Sequence, residues 1–272
     1  MDVPFGCSAD EIERALLKFV IPFISRSDMH QVKTLFFVPV GLPGMGKSTL
    51  AKHLKLATEK YLSPAGSPGA AQLSPAQISQ KLRTFLPEQK NVSSLPSVEF
   101  KKISYDGILG EFTHAYQAKH PDVPFHEVID IIRADADQHY LDLIARHCSP
   151  SEKAAPQELK TIIFLDRNNT PDIWGDIKRT VVGSYAETPV KDYRTVVLLP
   201  KQEPFDRAAY RAKNPVCPHL IYECCKRIFS RKEHGCLSGQ NKPKAVEVVL
   251  KFAKLHDDFD FDDEAQVGSY FD

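Results

Sequence analysis

Three short stretches carry side chains able to do chemistry together. Gly41 to Ser48 reads GLPGMGKS, ISYD ends at Asp106, and FLDRNN runs from Phe164 to Asn169. The first has the spacing G-x-x-x-x-G-K-[ST]. In that pattern glycines let successive backbone N–H groups turn inward around a phosphate, a lysine reaches the outer oxygens and a hydroxyl ligates Mg²⁺. Gly41, Pro43, Gly44, Met45, Gly46, Lys47, Ser48 and Thr49 are the candidate phosphate-binding set, with Ser48 the candidate metal ligand.

A phosphate cradle does not specify the fate of the phosphate, so the acids decide. A hydrolytic motor has a strand ending in Asp-Glu, the glutamate polarising water, but here Asp166 is followed by Arg167. A GTP-driven switch has an N-K-x-D base reader. The nearest string, NKPK from Asn241, lacks the aspartate and precedes a helical pattern rather than following a strand. What remains is a kinase, in which an acid near the γ-phosphate takes the proton of an acceptor hydroxyl.

These residues need strands and helices to hold them. TLFFVPV (34–40) is a continuous apolar run ended by glycine, as in a strand buried on both faces, and KSTLAKHLKLATEKYL resumes helical spacing. VEFKKISYD (98–106), LKTIIFLD (159–166) and YRTVVLLP (193–200) read as further strands. Helices are predicted over 9–23 (from a capping box at Ser8 and Glu11), 108–119, 125–148, and in PDIWGDIKRTVV, FDRAAYRAK, PHLIYECCKRIF and PKAVEVVLKFAKLH. Strands separated by helices imply an α/β fold with a mostly parallel sheet and right-handed crossovers. In such sheets ligands sit beyond the carboxyl ends of the strands, where Asp106 and Asp166 are expected.

A single domain is expected over 1–272. It comprises an N-terminal helix within 1–30, a phosphate-loop unit at 34–59, a Ser/Pro/Gly-rich insertion at 63–97, the rest of the sheet at 98–200, helices over 201–256 and an acidic tail at 257–272. Thirty-five basic residues balance thirty-five acidic ones, so an anionic ligand must be held by a local cluster rather than a global field. No apolar run reaches the roughly 20 residues of a membrane span, and the N-terminus is acidic where a secretory signal is basic. Six cysteines without framework spacing fit reduced thiols, and the expectation is an intracellular protein, cytoplasmic or nuclear.

The series GLPGMGKST, ISYD, FLDRNN, VVLLP and DRAAYRAKNPVCPHL resembles the polynucleotide 5′-kinase module of fungal-type tRNA ligases, a P-loop phosphotransferase related to phage polynucleotide kinase. The likeness covers 34–220 in the same order, and Asp-Arg-Asn-Asn is its most specific piece. It implies a three-layer P-loop kinase-like fold with a helical lid from the C-terminal third. It implies transfer of the γ-phosphate of GTP or ATP, with Mg²⁺, to the 5′-hydroxyl of tRNA-like RNA, in RNA repair or tRNA splicing. Ligase or phosphodiesterase domains on another chain or in a longer parent protein are the implied partners. Carried over, Asp106 becomes the general base, Lys47 and Ser48 keep their roles, Asp166, Arg167 and Asn168 line the floor, and Arg207 or Arg211 is the lid cation. Such modules often have histidine after Asp-Arg-Asn-Asn, where this chain has Thr170 and Pro171.

Each candidate has a plainer reading. Asp106 could be a helix N-cap, and Asn168 and Asn169 an Asx turn beside an Arg–Asp surface pair. Arg207 and Arg211, four apart, could form a solvated face. Cys217, His219, Cys224, Cys225, His234 and Cys236 crowd one region, but no C-x-x-C pair occurs, which favours helix packing over zinc. Lys226, Arg227, Arg231 and Lys232 form a basic stripe, either an RNA backbone contact or a solvated face. The first competing function is phosphorylation of a small metabolite such as a nucleoside or sugar. The second is nucleotide binding without turnover.

Overall fold

The computed structural model describes residues 32–62, 97–148, 159–184, 193–198, 218–231 and 241–255, with Glu13, Leu17, Val20, Ile21 and Gln80. Strand β1 (Thr34–Pro39) is buried at all six positions, as its unbroken apolar run requires. Helix α1 (Lys47–Tyr61) buries Ala51, Leu54, Ala57, Thr58 and Tyr61, positions three and four apart on one face. Then come β2 (Ser97–Ser104), α2 (Tyr105–Lys119), α3 (Phe125–Cys148), β3 (Leu159–Asp166), α4 (Pro171–Ser184), β4 (Tyr193–Leu198), α5 (Pro218–Phe229) and α6 (Lys242–Leu255).

The four strands form one parallel sheet in the order β2-β3-β1-β4. Side-chain alternation divides its core in two. Leu35, Phe37, Val98, Ile162 and Phe164 face α1 together with Leu17, Val20 and Ile21, whereas Phe36, Val38, Ile103, Ile163 and Leu165 face residues of α2, α3 and α4. Helix, sheet and helix thus form three layers. Adjacent strands β1 and β3 send their following helices to opposite faces, which opens a crevice at their carboxyl ends. A third cluster joins Leu42 of the glycine loop to Cys224, Cys225 and Ile228 of α5 and Ala245, Val249 and Ala253 of α6.

Several element ends differ from those expected. Strand β2 stops at Ser104 and α2 begins at Tyr105, not Ile108, because the Ser104 hydroxyl accepts a hydrogen bond from the Gly107 amide at 3.4 Å. Asp106 therefore stands in the first turn of a helix capped by Ser104, which corrects the reading of Asp106 as the cap. The NKPK string is a cap as well: the Asn241 side chain accepts from the Lys244 amide at 3.1 Å at the start of α6. Of the expected first helix, Glu13, Leu17, Val20 and Ile21 are described and helical. The predicted helix at 205–213, the acidic tail and nearly all of the 63–97 insertion lie outside the described residues. Among the described residues no helix is long and apolar enough to cross a membrane.

Candidate phosphate site

The glycine loop links the end of β1 to the start of α1, and its conformation depends on glycine at Gly44. That residue has φ +86°, and a Cβ there would stand 2.6 Å from the Cys224 carbonyl oxygen. Both the left-handed backbone and the close approach of α5 exclude a side chain. Gly46, at φ +92°, turns the chain directly into α1. Pro43 is buried and Met45 half-buried, its sulfur 3.0 Å from the Leu42 amide nitrogen, while Thr49 is exposed in the first turn of α1.

Lys47 folds back over the loop. Its Nζ donates to the carbonyls of Gly41 at 3.1 Å and Leu42 at 2.7 Å. Burial lowers its pKa to about 8; Asp166 opposes that fall more than Asp106 does, and Arg231 adds to it. All three charged groups thus lie within electrostatic reach of one ammonium.

Asp166, at the end of β3, receives a hydrogen bond from the Ser48 hydroxyl, Oγ to Oδ1 3.2 Å, and an ion pair from Lys102, Nζ to Oδ2 3.4 Å. A hydroxyl and a carboxylate oxygen side by side are hard donors. They suit Mg²⁺, which takes one or two protein oxygens and fills its octahedron with water and phosphate. Among the described residues no group of three or more His, Cys, Asp or Glu could hold a metal. Cys224 and Cys225 are packed in the third core, and burial pushes the Cys224 thiol up to about 11. Cys217, His234 and Cys236 lie outside the described residues.

Asp106 is exposed, next to the end of β2, and β2 neighbours β3 with Ser104 level with Asp166. The two acids therefore stand at adjacent strand ends. Arg167 turns away from this edge. It leaves β3 on the α2–α3 side, 2.7 Å from Asp137 and with its guanidinium 3.8 Å from the Tyr105 ring centroid. Asn169 is fully buried and holds the turn, its Nδ2 donating to Pro39 at 2.8 Å, Arg167 at 3.2 Å and Leu165 at 3.3 Å. A backbone bridge from Asn169 to Val40 ties the same turn to the glycine loop. Asn168 is half-buried beside it.

Helix α5 forms a wall behind the loop. Arg227 donates to the carbonyls of Met45 at 3.3 Å and Gly44 at 3.4 Å, and Leu42 enters the α5–α6 core. Lys226, on a different face, is exposed and pairs with Glu223 at 2.9 Å. The basic stripe is thus split: Arg227 binds the loop, Lys226 faces solvent, and Lys232 lies outside the described residues. Arg207 and Arg211 also lie outside them.

The sequence reading missed Lys102 and the tether from Arg227. Strand parity pointed to Lys102, because Val98 and Phe100 lie on the α1 face and Lys102 continues that set to the site. No known protein family, curated protein or solved structure matches the chain.

Proposed function

We propose that the chain is a P-loop kinase that transfers the γ-phosphate of GTP or ATP to the 5′-hydroxyl of a polynucleotide, RNA in the first instance. The observation that carries the reading is the Ser48–Asp166 contact at 3.2 Å beside Lys47, with Asp106 on the adjoining strand end. A hydroxyl and a carboxylate in contact next to the loop lysine form the donor half of a phosphotransferase site, and a solvent-facing carboxylate one strand away suits the acceptor half. The choice of a polynucleotide acceptor rests on the resemblance of ISYD and FLDRNN.

Lys47 would swing from the loop carbonyls to the β- and γ-phosphate oxygens, while loop amides hold the phosphate chain. Bound to Ser48 and Asp166, Mg²⁺ would neutralise charge on those oxygens. Asp106 accepts the proton of the 5′-hydroxyl as its oxygen bonds to the γ-phosphorus. The bond to the β–γ bridging oxygen breaks, leaving a 5′-phosphate end and a nucleoside diphosphate. On the resemblance alone, Arg207 or Arg211 would supply the cation that covers the transferring group. Arg167 following Asp166 leaves no glutamate to activate water, which favours transfer over hydrolysis.

Incubation with γ-labelled GTP or ATP, Mg²⁺ and a 5′-hydroxyl oligoribonucleotide tests the reading. Label on the oligonucleotide supports it. Label on a nucleoside or sugar alone assigns a metabolite kinase, and nucleotide binding without transfer to any acceptor assigns a regulatory module.

A further inference from the structure

Arg167 follows Asp166 in the chain, and Tyr105 precedes Asp106. These two neighbours of the acids meet each other. The guanidinium carbon lies 3.8 Å from the Tyr105 ring centroid and 5.4 Å from that of Tyr140, and the two rings pack edge to face at 5.8 Å. Nη2 lies 2.7 Å from Asp137 Oδ1, as a close ion pair rather than a linear hydrogen bond. Burial pushes the Tyr105 phenol above its ordinary value against the opposing charge of Arg167, and a hydrogen bond to Asp137 adds to the push. The Arg167 side chain is 13% exposed and that of Asp137 42%, so the guanidinium is held at the inner end of a pair whose carboxylate reaches solvent.

We propose that Arg167 is a positioning residue: held between the Tyr105 ring and the Asp137 carboxylate, it fixes the first turn of α2, and with it Asp106, against the strand end that carries Asp166. Three features support this. Strand β2 passes into α2 without a loop, so the direction of Asp106 follows from where Tyr105 is pinned. Arg167 is rooted at the end of β3, whose turn Asn169 locks to the glycine loop. A planar guanidinium can stack on a ring and meet a carboxylate at its edge, which an ammonium cannot do. The clamp thus sets the distance between the two carboxylates without touching substrate, and it rests on the kinase reading only in what that distance is for.

Arg167→Lys keeps the charge and removes the planar stack, while Tyr105→Leu removes the ring. Since a misplacement near 1 Å costs about a hundredfold in rate, each should lower kcat by roughly ten- to a hundredfold and leave the KM for triphosphate within about twofold. The double variant should be no slower than the slower single one, because both changes release the same turn. Hydrogen exchange of the α2 first-turn amides should accelerate in both variants, with the glycine-loop amides unchanged. Wild-type kcat with unchanged exchange in Arg167→Lys overturns the proposal, as do rate losses that multiply in the double variant. Should the wild-type chain phosphorylate no acceptor, the kinase reading fails, and exchange at the α2 first turn still decides whether the clamp exists.

Discussion

In the proposed site the folded-back Lys47 should make triphosphate binding depend on pH above neutrality. Free, the lysine has a pKa of about 8 against an ordinary 10.5, because burial penalises the ammonium more than Asp166 and Asp106 favour it. A bound triphosphate places several negative charges around the same ammonium and raises its pKa toward the ordinary value. Binding is then full strength below pH 8, where the lysine is already charged. Above pH 8 it must first recover a proton. With pKa values of about 8 free and about 10.5 bound, affinity falls about tenfold from pH 7 to pH 9, roughly 1.4 kcal/mol. At pH 9 complex formation should take up about 0.9 proton, against about 0.1 at pH 7. Calorimetry of a non-hydrolysable triphosphate with Mg²⁺, in buffers of different ionisation enthalpy, measures affinity and proton uptake together. Lys47→Arg carries a permanent charge and should show no such pH dependence, whatever its affinity. An affinity flat from pH 7 to pH 9 in the wild-type protein, with no proton uptake at pH 9, would refute the placement of Lys47 as the buried phosphate ligand.

Three further perturbations act on separate parts of the site. Asp166→Asn removes the charged oxygen beside Ser48 and should raise the Mg²⁺ concentration needed for triphosphate binding by more than about tenfold, read by metal titration with a fluorescent analogue. Gly44→Ala forces a side chain into left-handed backbone and against the Cys224 carbonyl, and should cost at least about 1–2 kcal/mol of stability in urea unfolding. Leu42→Ala empties the loop's anchor in the α5–α6 core and should destabilise the protein by about 2–5 kcal/mol, with weaker protection of α5 amides in hydrogen exchange.

The elements were largely legible because burial on both faces leaves a plain trace. LKTIIFLD is strand β3 from end to end, and PHLIYECCKRIF is helix α5. The start of α2 was misjudged because its signal is polar: Ser104 caps it, ahead of the apolar spacing that begins at Ile108. At the site, local motifs pointed to Lys47 and Ser48 in the glycine loop and to Asp166 at a strand end, because each stands in a recognisable string, although the Ser48–Asp166 contact itself spans the fold. Contacts made across the fold were hidden. Arg167 reads as an active-site cation because it follows Asp166, yet strand alternation turns it to the opposite face of the sheet, toward Asp137. Nothing in the sequence singles out Asp137, since α3 carries five acids at helical spacing. The strand order, and with it the adjacency of the Asp106 and Asp166 strand ends, comes from long-range pairing that a single chain read in order does not state.

The most direct test compares wild-type protein with Asp106→Ala, measuring γ-phosphate transfer to a 5′-hydroxyl oligoribonucleotide and triphosphate Kd in the same preparations. On the proposed mechanism Asp106 acts on the acceptor and not on the donor, so transfer should fall by about 10² to 10⁴ with Kd within about threefold of wild type. Transfer at the wild-type rate by Asp106→Ala would contradict the account.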